Sequence, residues 1–265
     1  LLSAGSFLLA LAATYALARA LTQRRWAGGL AAAVTAVNGR FVWAGLSALE
    51  TPLFAALGLL AVISYLRWRQ ADRFPLLSAA LFALATLARP EGLLLFIPAL
   101  ADHAFRQPGL KTPQSSLQRP TSRKASPAVG RPKRVQAGSL DPAGERESEK
   151  PPGTILHAHR LLQLLPAAAL YLLLILPYVL FSLRTAGAPF PNTFSAKAAL
   201  RLVPDLDVLS LAARYLILDN PLLLPFFVLG LGALLLGPAR IIPAWAVALP
   251  LAYGFLGAAL YQHGR

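Results

Sequence analysis

Three short polar stretches interrupt an otherwise apolar chain, and their residue types can do chemistry together. Glu50 sits in "SALETP" (47–52), Arg89 and Glu91 in "RPEG" (89–92), and Asn192, Thr193 and Lys197 in "PFPNTFSAK" (189–197). A planar guanidinium grips phosphate through parallel N–H donors, and an ammonium adds a point charge. Carboxylates, a hydroxyl and an amide hold the hydroxyls of a sugar. Such contacts strengthen where water is excluded. An anionic head group with a sugar attached and an apolar tail would use all of them. Arg89 and Lys197 would take the phosphate and Asn192 sugar hydroxyls, with Glu50 assisting and Glu91 and Thr193 as further substrate-binding candidates. The plainer reading is that Glu50 and Arg89 pair and pin neighbouring hairpins.

These residues need a scaffold. The chain of 265 residues is 56% hydrophobic by residue type and only 14% charged, against roughly 25% charged in soluble domains. Its long apolar runs lack the alternation of strands, and in hydrocarbon only helices or closed barrels satisfy their own backbone. The fold class is therefore all-α, a polytopic membrane protein of about seven or eight transmembrane or half-spanning helices.

The first run, Leu1 to Leu21, ends before Arg24 and Arg25. The second is Gly28 to Leu49. A third starts at Pro52, a residue suited to a first helical turn, and ends among Arg67, Arg69 and Arg73. Glu50 thus occupies a turn between antiparallel spans, opposite the basic clusters, which the positive-inside rule makes cytoplasmic. Between Pro75 and Phe105, Pro90 disfavours helix at Arg89 and Gly92 weakens it further. The stretch is either one broken span or a hairpin of two short helices with "RPEG" at its outer tip. The hairpin is preferred, because it returns the chain to the cytoplasm for the basic segment that follows.

That segment, residues 106–160, is rich in Pro, Ser, Gly, Arg and Lys. It cannot bury enough apolar area to fold alone and reads as a disordered basic cytoplasmic linker. It separates N-terminal helices (1–105, including the hairpin) from C-terminal ones (161–265). In the latter, Leu161–Leu183 spans, an outer loop covers 184–220, and Leu202–Leu218 reads as an interfacial amphipathic helix. Pro221–Leu236 and Ile241–Tyr261 complete the set.

The net charge of +14 sits at the ends of apolar runs and in the linker, with few aromatics beside it. That is topogenic charge rather than a nucleic-acid groove. Cysteine is absent, which excludes disulfides and thiolate chemistry. No cofactor or metal is expected. His157 and His159 lack a third ligand, His103 and His263 read as interfacial, and Asp205 and Asp207 as a solvated loop or a helix cap. Trp26, Trp43 and Trp68 read as an aromatic belt.

"SALETPLFAALGLL", "ALATLARPEGLLL" and "PFPNTFSAK", in that order, resemble a bacterial branch of the GT-C glycosyltransferases, the arabinofuranosyl- and mannosyltransferases of the cell envelope. The resemblance touches most of the chain outside residues 106–160. It implies an inverting transfer on the extracytoplasmic face of an inner or plasma membrane, from a polyprenyl-phosphate sugar donor to a glycan, lipid or protein hydroxyl. By that likeness Glu50 helps hold donor or acceptor, Arg89 and Lys197 steady the donor phosphate, and Glu91 and Asn192 orient them or touch sugar. Ala48 replaces the usual glycine, and Ser195 stands where Tyr is frequent. The family's base is an Asp in the first outer loop. The chain is expected to begin after that loop, as a fragment inactive on its own, so its catalytic base is unknown. A carrier or flippase of an anionic lipid-linked substrate, and a non-catalytic assembly subunit, remain alternatives. A carrier should show repeats and mid-membrane polar groups, whereas polarity here gathers on one face.

Overall fold

The computed structural model describes residues 1–47, 49–68, 74–105, 153–189, 203–219, 221, 224–236 and 240–256. Every element among them is a helix. Residues 106–152, most of the predicted linker, lie outside the described residues, as do Asn192, Thr193 and Lys197.

Helix α1 (Leu2–Thr22) is long and apolar. It stops at Gln23, which adopts the left-handed conformation (φ 59°) and donates its N–H to Arg19 O at 2.8 Å. That single residue turns the chain back into α2 (Arg25–Ala36). The two helices touch closely at Gly28, where a Cβ would lie 2.8 Å from the Tyr15 carbonyl oxygen. The run from Gly28 to Leu49 was expected to be one span. Instead the helix ends at Ala36 and a second, α3 (Gly39–Leu46), begins after Asn38. Asn38 Oδ1 accepts the Phe41 N–H at 3.0 Å. This cap, with Gly39 behind it, outweighs the apolar continuity of the run.

Helix α4 (Thr51–Trp68) follows Glu50, with Pro52 in its first turn, where a missing N–H is harmless. Next come α5 (Leu76–Ala88) and α6 (Gly92–Ala104). At Arg89 the backbone is extended (φ −150°, ψ 133°), the conformation a following proline favours. Gly92 N–H then bonds Arg89 O at 2.9 Å, and Leu93 N–H bonds Pro90 O at 3.1 Å, which starts α6. The chain therefore folds back as a hairpin. Phe74, just before α5, meets His103, near the end of α6, with ring centroids 5.6 Å apart. Each arm has 13 residues, about 20 Å of helix against about 30 Å of hydrocarbon.

Helix α7 (Gly153–Ala186) starts ahead of the expected Leu161, inside what was read as linker. It is followed by α8 (Leu206–Asp219), α9 (Leu224–Leu236) and α10 (Ile241–Leu256). Asp205 caps α8, its Oδ1 accepting the Asp207 N–H at 3.0 Å, and its own N–H reaches Gly254 O at 2.9 Å. That ties α8 to the end of α10. Among the described residues, three helices are long and apolar enough to cross a membrane: α1, α4 and residues Leu162–Ala186 of α7. Four others, α5, α6, α9 and α10, are apolar but shorter. The expected seven or eight spanning or half-spanning helices thus become, among the described residues, three of spanning length and four short ones. Turn residues account for the short α5 and α6.

The core is built around α5, which packs on α4, α6 and α7. Ala79, Phe82, Ala83 and Ala85 are fully buried, and the alanines let neighbouring backbones approach. Thr86 and Tyr171 share a hydroxyl hydrogen bond of 2.8 Å. Tyr171 also stacks on Phe96, with centroids 4.0 Å apart, so one ring joins α5, α6 and α7.

Among the described glycines, the one at the hairpin tip is the most closely packed. A Cβ on Gly92 would fall 2.5 Å from Thr86 N and 2.7 Å from Ala85 C. Gly92→Ala should lower stability by about 1–3 kcal/mol, the usual cost of overpacking. Gly29→Ala, whose Cβ would meet nothing within 4 Å, should be neutral or mildly stabilising. Thermal unfolding of both variants in lipid nanodiscs checks this; indistinguishable midpoints would refute the close contact.

Candidate functional site

The helix ends decide which side chains meet. Ser3 Oγ donates to Gly45 O at 2.7 Å, joining the start of α1 to the end of α3. The start of α4 carries Glu50 and Thr51, the end of α5 carries Arg89, and the start of α6 follows Glu91. The end of α10 brings Tyr253. All of these lie at one end of the bundle. The opposite end holds Tyr65, whose hydroxyl donates to Asp102 Oδ2, with Phe74 stacked on Tyr65. His103 was read as interfacial; it is buried there, edge-on to Phe74.

At the first end Arg89 is the hub. Its Nε lies 3.4 Å from Glu50 Oε1 and 3.9 Å from Glu91 Oε2. Its Nη1 donates to Thr51 Oγ1 at 3.3 Å. These contacts are longer than the roughly 2.7–3.2 Å of ordinary N–H···O bonds. They are charge contacts that another anion could rival. The placement also suits the helix dipoles. Both carboxylates sit at helix N-termini and the guanidinium at a C-terminus.

The two acids are not equivalent. Glu50 has a side chain 52% exposed, whereas Glu91 is 12% exposed. Glu91 Oε1 accepts the Tyr253 hydroxyl. Its Oε2 is closed off from solvent and accepts no hydrogen bond. Among the described residues, the Arg89 guanidinium is its one compensating charge. A carboxylate with one oxygen tied and the other enclosed is held in place, while its half-exposed counterpart has an open side to water.

Of the six residues singled out from the sequence, the structure brings Glu50, Arg89 and Glu91 together. Asn192, Thr193 and Lys197 lie outside the described residues. The plain pairing of Glu50 with Arg89, which ties the turn before α4 to the hairpin tip, is present. Thr51 and Tyr253 were not foreseen. Thr51 stands beside Glu50, so its nearness follows once that turn is placed. Tyr253 is 162 positions from Glu91, and no local spacing signals such a contact. Below the cluster, Phe54 of α4 meets Trp245 of α10 with centroids 6.3 Å apart, and Trp245 Nε1 is buried without an acceptor.

Unequal exposure gives unequal energetics. Arg89→Ala leaves the enclosed Glu91 oxygen uncompensated and should lower stability by about 1–3 kcal/mol. Glu50→Ala removes a half-exposed pair and should cost about 1 kcal/mol or less. Unfolding midpoints in nanodiscs would rank them; an equal or larger loss for Glu50→Ala would overturn the assignment.

No protein-family model matches this chain, and neither does any curated protein or solved structure.

Proposed function

We propose that the protein is an integral membrane glycosyltransferase of the GT-C type, acting on a polyprenyl-phosphate sugar at the extracytoplasmic end of its helices. The sugar would pass with inversion to a glycan, lipid or protein hydroxyl. One observation carries this reading: a guanidinium and two carboxylates, from three separate helix ends, converge at one end of an apolar helical bundle. A charged residue at membrane depth costs roughly 2.5–3.5 kcal/mol on insertion scales, so a cluster retained there has a use or a partner.

The chemistry assigns each group a task. Arg89 offers a planar fork to the phosphate and stabilises its charge as the glycosidic bond breaks. Glu91 keeps that fork oriented. Glu50, half exposed, can reach sugar or acceptor hydroxyls. The apolar helices below provide a place for the isoprenoid tail. Lys197, Asn192 and Thr193 are proposed to complete the head-group contacts, as their order in the sequence suggests. The basic residues Arg24, Arg25 and Arg67 border the other end, which suits a cytoplasmic side there.

The test is donor binding by the purified chain in lipid nanodiscs. A radiolabelled polyprenyl-phosphate sugar should bind saturably and better than the matching polyprenol. Arg89→Lys should weaken donor binding about tenfold, because a point charge replaces a two-pronged donor, with the unfolding midpoint held. Equal retention of donor and polyprenol by the unsubstituted chain would sink the proposal.

A further inference from the structure

Arg89 faces two carboxylates, and an anion arriving at its guanidinium must displace one of them or crowd both. Which one yields follows from what else each carboxylate touches. Glu91 is nearly enclosed, receives the Tyr253 hydroxyl on Oε1, and has Oε2 sealed from water. Leaving Arg89 would strand that oxygen with no compensating charge. Glu50 is half exposed, and its carboxylate contacts Arg89 at 3.4 Å. Water can take over its solvation as it turns away.

We propose that Tyr253 is the positioning residue of this site: it fixes Glu91 as the permanent counter-ion of Arg89 and so makes Glu50 the carboxylate an incoming phosphate displaces. The inference rests on the reading that Arg89 receives a phosphate. It adds a residue that no sequence motif marks, and gives Glu50 a role distinct from holding substrate. Glu50 occupies the fork in the ligand-free state as a stand-in for the anion. Tyr253 acts through Glu91, not by touching the ligand. Its hydroxyl crosses from the end of α10 to the start of α6, so the orientation of the guanidinium depends on how α10 is seated.

The charges make the effects opposite in sign. Removing the Glu50 charge removes a competitor, so anion binding tightens. Removing the Tyr253 hydroxyl frees Glu91 to swing across the guanidinium as a second competitor, so binding weakens. Neutralising Glu91 in the same chain removes that competitor and cancels the effect of the tyrosine change.

The test is saturation binding of a radiolabelled ten-carbon isoprenyl monophosphate to the full chain in nanodiscs, with the ten-carbon isoprenol as control. Glu50→Gln should tighten phosphate binding about three- to tenfold, and Tyr253→Phe should weaken it by a similar factor. In a Glu91→Gln background Tyr253→Phe should have no further effect, a coupling that general loosening of α10 would not produce. Isoprenol binding should be unchanged throughout. If the phosphate and the alcohol bind alike to the unsubstituted chain, the phosphate reading itself fails. If the phosphate is preferred but Glu50→Gln weakens binding, or Tyr253→Phe acts equally with and without Glu91, the displacement proposal alone is overturned. Glu50 is at the surface, so its variant decides the matter even if the Tyr253 variants unfold.

Discussion

A carboxylate oxygen sealed from water needs a positive charge beside it, and much of one end of this molecule follows from that requirement. Among the described residues, Glu91 Oε2 has Arg89 Nε at 3.9 Å and no hydrogen-bond donor. Glu91 Oε1 has Tyr253. These contacts connect the α5–α6 turn to the end of α10, and α10 in turn anchors Asp205 at the start of α8. Arg89 reaches further, to Glu50 and Thr51 at the start of α4. Four helix ends and a fifth behind them are thus set by one guanidinium. Lose it, and the enclosed acid is left without the charge that compensates its burial.

Packing supplies the frame that keeps the guanidinium there. Half of the candidate span in α4 is buried (50%), against 17% in α1 and in α7, so α4 lies inside and the other two border it. Helix α5 can sit among α4, α6 and α7 because small residues line it, and Gly92 lets the hairpin close without splaying its arms. Outward faces carry exposed leucines and phenylalanines such as Leu172, Leu173, Phe181 and Phe226. In water such surfaces would drive association; in lipid they need no cover. A backbone in lipid is satisfied only by helices or closed barrels, and every described element is a helix.

Much of this was readable in the sequence, for identifiable reasons. Pro52 marked the start of α4, and Pro90 with Gly92 marked the hairpin, because both act on the backbone locally whatever surrounds them. Glu50 and Arg89 could be placed at the same end by counting spans. The break at Asn38 was also written there as Asn-Gly, a common turn signal, but hydropathy over a long window smooths over a two-residue interruption. Tyr253 could not be found. An isolated tyrosine near the end of an apolar run is what an interfacial belt looks like, and its hydroxyl acquires a partner only through tertiary packing. The start of α7 at Gly153 is not visible in composition, because the Pro-rich stretch before it dilutes the helical signal over a long window.

The two acids around Arg89 illustrate why charge count alone is a poor guide to such a site. One guanidinium and two carboxylates sum to −1, which looks unfit to receive an anion. Position reverses the conclusion. The enclosed acid is screened by the cation and a hydroxyl, and both acids sit at helix N-termini, where the local dipole favours negative charge. The exposed acid can exchange the guanidinium for water at small loss, since half-exposed ion pairs contribute about 0–1 kcal/mol. If Arg89 receives a phosphate as proposed, a tail among the helices adds burial that Glu50, fixed to the start of α4, cannot match. On that proposal the competition is decided by the apolar part of the ligand, and the negative sum of Arg89 with its two acids is no bar to a lipid-borne phosphate.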